Sequence, residues 1–263
     1  VSPRAAVAHD LLLVDIGNTR VKWGRLRGRR IVGRGDAPRA DWKAARFAGE
    51  TLAALAPVTR ILVVSVASPE FNAGFARAAR RALGVTPQFV ESTARAAAVV
   101  NAYREPWRLG ADRWVALIGA HHLFRPRRDV CIVDIGTALT IDLVDADGRH
   151  RGGAIIPGPD LMVRSLLLGT SGILRRAAGV GARARHTAFA TNTRDALESG
   201  ARRAAAAAAD RFAADAEELL GRPPTVVLTG GAAAQVAPLV RVRHRRVPDL
   251  VLRGLAVLAA QGA

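Results

Sequence analysis

The chain is poor in cysteine, methionine, tyrosine and lysine. Of its 263 residues one is cysteine, Cys131. A lone cysteine excludes an intramolecular disulfide and any cysteine-rich zinc or iron–sulfur centre. It fits a reducing, cytoplasmic compartment. No apolar run is long enough to span a bilayer, so no membrane partner is expected. Residues 1–9 have no assignable role, and the N-terminus lacks the apolar segment of a signal peptide. Aromatic residues are 5% of the chain, too few among the basic clusters to stack bases.

Known nucleotide and hydrolase signatures are also missing. There is no G-x-x-x-x-G-K-[ST] and no G-x-G-x-x-G after a strand, which removes the P-loop and the dinucleotide fingerprint. No protein-kinase catalytic loop, H-E-x-x-H or G-x-S-x-G occurs. His121 and His122 are adjacent, so on a helix they diverge and read as structural.

Positive charge, by contrast, is abundant. The formal net charge is +17, carried almost wholly by arginine, since Lys22 and Lys43 are the only lysines. Arginine is scattered and alanine is equally over-used, which reads as a compositional habit. Direct nucleic-acid binding is therefore not expected, although a basic surface attracts anionic substrates such as nucleotides.

One pattern occurs twice. Leu12-Leu13-Val14-Asp15-Ile16-Gly17-Asn18-Thr19 near the start is echoed by Ile132-Val133-Asp134-Ile135-Gly136-Thr137. Each copy is an apolar strand ending in Asp, then Gly and a small hydroxyl residue, then a second strand. A carboxylate behind four apolar residues is costly unless it is paired or holds a cation. Gly17 and Gly136 let backbone N–H groups approach a phosphate. Asn18, Thr19 and Thr137 add side-chain donors, and Lys22 adds a cation.

Around this duplication the chain reads as α/β. Strands are expected at Leu11–Val14, Val21–Leu26, Ile31–Gly35, Ile61–Val66 and Pro87–Val90, and helices over Asp41–Leu55, Ser68–Leu83 and Gly110–Phe124. Ser68 caps its helix and Pro69 takes the first position. The apolar face of the third helix is Trp114, Leu117, Ile118 and Leu123. Arg125–Asp129 is a polar break. The pattern then restarts with strands at Val130–Val133, Thr140–Val144, Arg151–Ile156 and Thr225–Thr229, and helices at Asp160–Leu168, Thr193–Leu220 and Leu250–Ala260. Two domains are expected, 1–125 and 126–263. Gly230-Gly231 after the last strand admits a flat ring or a sugar. In Gly110-Ala111-Asp112-Arg113, Asp112 is either a helix-dipole residue or a general base beside a substrate-binding cation.

Taken together, these segments resemble the type III pantothenate kinases, members of the acetate-kinase, sugar-kinase, Hsp70 and actin superfamily. The likeness rests on Asp15 to Lys22, Gly110 to Arg113, Asp134 to Thr137, Gly152-Gly153-Ala154-Ile155-Ile156-Pro157-Gly158, Asn192-Thr193 and Thr229-Gly230-Gly231, in that order. The resemblance implies two ribonuclease-H-like domains related by internal duplication, ATP with Mg2+, and a homodimer that completes the pantothenate pocket. It implies transfer of the γ-phosphoryl group of ATP to pantothenate, the first step of coenzyme A synthesis. Asp15, Ile16, Gly17, Asn18, Thr19, Arg20, Val21 and Lys22 would form the phosphate loop, with Asp15 near the magnesium. Thr137 would contact ATP. Asp112 would be the catalytic base. Tyr103, Gly110, Ala111, Arg113 and Thr193 would line the pantothenate site with it. Asp134 would bind the monovalent cation, potassium or ammonium, that some relatives use. Two alternatives stay open: a kinase of the same fold with another small acceptor, and a DNA-binding or transcription-accessory protein using the basic surface.

Overall fold

The computed structural model describes residues 10–126, 128–178 and 188–262. The first unit opens with strand β1 (Leu11–Ile16), which returns as β2 (Arg20–Arg27) and β3 (Arg30–Pro38). A 3-10 turn at Asp41–Lys43 precedes helix α1 (Ala45–Ala53); β4 (Arg60–Ser65) and α2 (Pro69–Leu83) follow. Short strands β5 (Gln88–Phe89), β6 (Arg95–Ala96) and β7 (Val99–Val100) lead to a 3-10 turn at Pro106–Arg108 and helix α3 (Ala111–Leu123).

The second unit holds β8 (Val130–Ile135), β9 (Ala138–Val144), β10 (His150–Pro157), α4 (Pro159–Gly169) and α5 (Ser171–Ala177). It continues with α6 (Thr193–Leu220), β11 (Thr225–Thr229), α7 (Ala233–Val236) and β12 (His244–Arg246). The closing helix α8 (Leu250–Ala260) belongs to the first unit, which comprises 1–123 and 250–263; the second is Phe124–Asp249. The expected linear division at 125/126 had put this helix in the second half. Gly119 of α3 and Gly254 of α8 explain the difference. A Cβ on Gly254 would lie 1.9 Å from the Val115 carbonyl oxygen, and one on Gly119 would lie 2.7 Å from that of Leu250. The two helix backbones touch.

Both sheets have one plan. The strand order is β3-β2-β1-β4-β5 in the first and β10-β9-β8-β11-β12 in the second. In each, the central strand pairs antiparallel with its hairpin partner and parallel with the strand after the crossover. This is the internal duplication that the repeated motif announced. Central strands covered on both faces need continuous apolar sequence, and Leu11–Val14 and Val130–Val133 are all buried.

Alternation along β1 decides where its carboxylate points. Leu12, Val14 and Ile16 join Leu52 of α1 and Phe75 of α2 in one core. Side chains alternate between faces, so Asp15 stands on the other face. That face is covered by α8, whose Leu252 Cδ1 approaches the open position at Gly24. In the second unit Cys131, Val133 and Ile135 pack on the small buried residues Ala205, Ala206, Ala209 and Ala213 of α6. Asp134 again lies on the opposite face. The caps follow the sequence. Ser68 Oγ accepts from Phe71 N at 3.4 Å, and Gly84 ends α2 at φ 70°. A second bond, from the Ser68 side chain to the Glu70 carboxylate, holds that carboxyl below its ordinary range.

Two expectations change. The helix foreseen over Asp41–Leu55 breaks at Ala44, which is extended. Trp42 is the cause: it inserts its ring among Trp23, Phe47 and Phe75, with centroids 5.5–5.7 Å apart. Tertiary packing overrides the helical spacing there. The apolar face of α3 is also wider than foreseen. Arg113 to His121 are all buried, while Leu123 is exposed.

Candidate active site

The first turn of interest joins β1 to β2. Gly17 N donates to Arg20 O at 2.9 Å, and Arg39 N donates to Thr19 O at 2.7 Å. These bonds close the loop and leave Asn18, Thr19 and Arg20 exposed. Ile16 and Val21 are buried beneath it as paired residues. The register sets Asp15 opposite Lys22, and Lys22 opposite Asp36 of β3. Directly opposed residues share a face, so Lys22 stands between two carboxylates. Asp36 forms an ion pair with Arg20. A turn with an exposed tip, a lysine and a strand-end carboxylate is chemically suited to a phosphate that carries a cation.

The second turn is tighter. Gly136 N donates to Ala138 O at 3.0 Å, and Gly158 N donates to Thr137 O at 2.9 Å. Gly158, at the end of β10, lies so close that a Cβ there would be 2.1 Å from Gly136 O and 2.8 Å from Thr137 O. Gly230 closes the other side at φ 93°, with a Cβ position 2.4 Å from Asp134 Oδ1 and 2.6 Å from the Ile135 backbone. Gly230 is therefore used by the protein itself to approach β8; only Gly231 is open, with nothing near its Cβ position. Asp134 is flanked in register by Thr140 and Thr229. Where the first copy has Lys22 the second has Thr140, so the two turns share geometry but not charge.

The third group forms around the start of α3. Gly110 begins it: a Cβ there would sit 2.7 Å from Asp112 Oδ1, so the carboxylate folds back over residue 110. Asp112 Oδ1 accepts from Arg113 N at 2.8 Å. The part-buried carboxylate also benefits from the helix N-terminus. Arg113 is 6% exposed. Its Nη1 donates to the Tyr103 hydroxyl at 3.2 Å, and its guanidinium lies 5.9 Å from the Tyr103 ring centroid. The structure thus brings Tyr103, Gly110, Ala111, Asp112 and Arg113 together. Thr193 lies in the second unit, in the first turn of α6. There Asn192 caps the helix by accepting from Asp195 N at 2.9 Å.

Sequence reasoning missed Asn101. It is buried and ties Ser92, Thr93, Tyr103 and Pro106 together. A single asparagine after a short strand reads as a turn residue, and nothing in the sequence marks its distant partners. The arginine-rich surface also resolves into a place. A groove of about 1840 Å³ in the first unit is lined by Arg29, Arg30, Arg34, Arg60 and Arg253. It includes Leu11, the first residue of β1, and none of the candidate residues. Among the described residues, no cluster of three or more His, Cys, Asp or Glu side chains could hold a metal.

Comparison with known proteins bears on the fold and the family. A protein from Sinorhizobium meliloti assigned as a 2-dehydro-3-deoxygalactonokinase superposes with a TM-score of 0.55 at 15% identity, covering 96% of this chain and 98% of its own. The (R)-2-hydroxyglutaryl-CoA dehydratase component A from Acidaminococcus fermentans gives 0.52 at 15% identity, covering 95% and 96%. Both likenesses concern the fold: two α/β units of the actin-like ATPase type. Sequence relatives are much nearer. A type III pantothenate kinase from Aromatoleum aromaticum is 40% identical over 96% of this chain and 99% of its own. One from Nitrosococcus oceani is 34% identical over 95% and 93%. The profile of the type III pantothenate kinase family matches residues 11–215. With that match and these relatives, the chain belongs to the type III pantothenate kinase family.

Proposed function

We propose that this protein phosphorylates pantothenate, moving the γ-phosphoryl group of ATP to its primary hydroxyl as the first step of coenzyme A synthesis. Family membership supports the reaction. The observation that carries the residue assignment is the group at the start of α3. A part-buried carboxylate, Asp112, is set by a glycine and a helix N-terminus beside a buried arginine that a tyrosine hydroxyl orients. Phosphoryl transfer passes through a loose transition state, so catalysis is mostly positioning and charge neutralisation. Asp112 accepts the proton of the attacking hydroxyl. Arg113, Tyr103, Gly110 and Ala111 hold the acceptor, and Thr193 contacts it. The Asp15–Lys22 loop takes the phosphates through its backbone donors and Lys22; Thr137 contacts ATP.

Asp15 would hold the Mg2+ that accompanies ATP. A single strand-end carboxylate suits an ion bound chiefly by phosphate oxygens and water. The ion would supply neutralisation of phosphate charge. Asp134 would hold a monovalent cation, potassium or ammonium; a carboxylate with the Thr137 hydroxyl three residues on supplies oxygen donors, which suit a hard cation. A homodimer is part of this reading. Leu166, Leu168 and Leu174 on α4 and α5 are exposed, Leu168 at 85%. Large apolar side chains left this exposed on neighbouring helices support a partner surface there. Arg194, next to Thr193, donates from Nε to Ala177 O at the end of α5, so a partner docking there would meet the turn that carries Thr193. We place the reaction in the cytoplasm, where ATP and a lone reduced cysteine both belong. No described helix is long and apolar enough to cross a membrane.

The test is ADP release from the purified protein with ATP and magnesium, with and without pantothenate, potassium or ammonium. Pantothenate-dependent turnover is expected. Turnover only with another acceptor would keep the fold and overturn the substrate.

A further inference from the structure

Asn101 directs its side-chain hydrogen bonds into one small region. Its Nδ2 donates to Ser92 Oγ at 3.2 Å, Thr93 O at 3.3 Å and Pro106 O at 3.4 Å. Its Oδ1 accepts from Tyr103 N at 3.0 Å, and its own N donates to Ala94 O at 3.0 Å. A planar amide with two donors and one oxygen thus fixes three stretches of chain at once. One stretch precedes the β6–β7 hairpin, one follows it, and one is the 3-10 turn leading to Gly110.

The hairpin that Asn101 closes is itself held in an unfavourable form. Its turn residues are Ala97 at φ 49° and Ala98 at φ 63°. Glycine or asparagine adopts these angles readily and alanine does not. Such strain persists only where the surroundings over-determine the conformation, and it clusters at functional sites. Here the surroundings include the Asn101 amide and the backbone bond to Ala94. The product of the arrangement is a fixed backbone at Tyr103, whose hydroxyl then meets Arg113 Nη1.

We propose that Asn101 is a positioning residue for the pantothenate side of the active site, acting through Tyr103 on Arg113. This rests on the pantothenate kinase reading. Asn101 touches no reacting atom in this proposal. It sets where the Tyr103 hydroxyl stands and so how the Arg113 guanidinium that donates to it is oriented.

The experiment is a double-mutant cycle on the steady-state kinetics of the full chain, with Asn101→Ala, Tyr103→Phe and the double variant. Asn101→Ala is expected to raise the KM for pantothenate about 5–10-fold, the span of one ordinary hydrogen bond. The KM for ATP should stay within about twofold, because the side-chain bonds of Asn101 all end within residues 92–106, outside the phosphate loop. The double variant is expected to match the worse single variant, since both act along one chain of contacts. Equal rises in both KM values, or effects that multiply in the double variant, would overturn the proposal in favour of a merely structural asparagine. Ser92→Ala guards against a variant that does not fold. It removes one of three acceptors and leaves the Tyr103 bond, so a rise of about 2–3-fold confined to pantothenate is expected, and no rise would overturn the proposal. Absence of pantothenate-dependent turnover in the unaltered protein would sink the functional reading itself. Turnover with an unmoved KM in the variants would sink only the role of Asn101.

Discussion

Gly158→Ala would test whether the second turn is set by backbone contact. At φ −71° and ψ 165° the residue has an ordinary extended conformation, so alanine meets no dihedral penalty. Its Cβ, however, would sit 2.1 Å from Gly136 O, well inside the 3.0 Å that real Cβ contacts respect. Thr137 O at 2.8 Å and Thr137 C at 3.1 Å crowd the same position. All three are backbone atoms, so no side chain can rotate away. The Gly136-Thr137 turn must retreat by roughly 1 Å, a displacement that overpacking studies price at about 1–3 kcal/mol. The retreat also breaks or lengthens the bond from Gly158 N to Thr137 O. If Thr137 contacts ATP, a shift of that size is expected to cost about tenfold to a hundredfold in kcat/KM for ATP. The KM for pantothenate should change far less. Gly169→Ala, at the other end of α4, meets nothing within 4 Å and serves as the control. The assay is steady-state kinetics in each substrate, alongside thermal denaturation. A folded Gly158→Ala protein with unchanged ATP kinetics would refute the reasoning that this turn forms part of the nucleotide site.

Three further outcomes follow from the same contacts. Asp112→Asn should lower kcat by about 10²–10⁴-fold, the span of a general base; a folded, fully active variant would leave Asp112 as a helix-start residue only. Gly254→Ala should destabilise the first unit by about 1–3 kcal/mol or more, because its Cβ would meet Val115 O at 1.9 Å; an unchanged denaturation midpoint would show that α3 and α8 can part freely. Asp129 is 3% exposed and accepts from Arg222 Nη2 at 3.0 Å and Ala146 N at 2.9 Å. The Arg222 guanidinium holds its carboxyl below the usual range. A depressed folded pKa contributes stability that is present above the unfolded value of about 4 and fades as pH falls through the folded value. Arg222→Ala should therefore lower stability at pH 7, and the gap to the parent should narrow below pH ~4, as read by denaturant unfolding at the two pH values. A gap that widens in acid would reverse the assignment.

How far the sequence reveals this protein depends on where each signal resides. The two strand–Asp–Gly turns were legible because all their parts are consecutive, and a motif met twice announces two sheets of one plan. The cap of α2 was legible for the same reason. The 3-10 break at Asp41–Lys43 was not, since it depends on Trp42 finding Trp23 and Phe75 in the folded core. Nor was the β6–β7 hairpin, whose turn uses two alanines in the left-handed region where the usual signal is Asn-Gly. Strand β12 reads His244-Arg245-Arg246, a charged edge that pairs only because β11 lies beside it.

The closing helix makes the physical reason plain. Read linearly, residues 250–260 continue the second half. In the fold they pack against α3, the helix whose first turn carries Asp112 and Arg113. Each glycine of that crossing looks ordinary in its own neighbourhood, because a mid-helix glycine is merely a weak helix former. Their meaning appears only as a pair: Gly119 admits the α8 backbone, and Gly254 admits that of α3. Asn101 is illegible for the same reason. Its own neighbours say turn, while Ser92 and Pro106, brought in by the fold, make it a fastening point just ahead of α3. The candidate site residues of this chain are thus written in contiguous motifs, whereas the residues that hold them in place are defined by contacts between segments. Variants at Gly254 and Asn101 should therefore separate the two kinds of support. The first is expected to act on the stability of the whole unit, and the second on one substrate's KM.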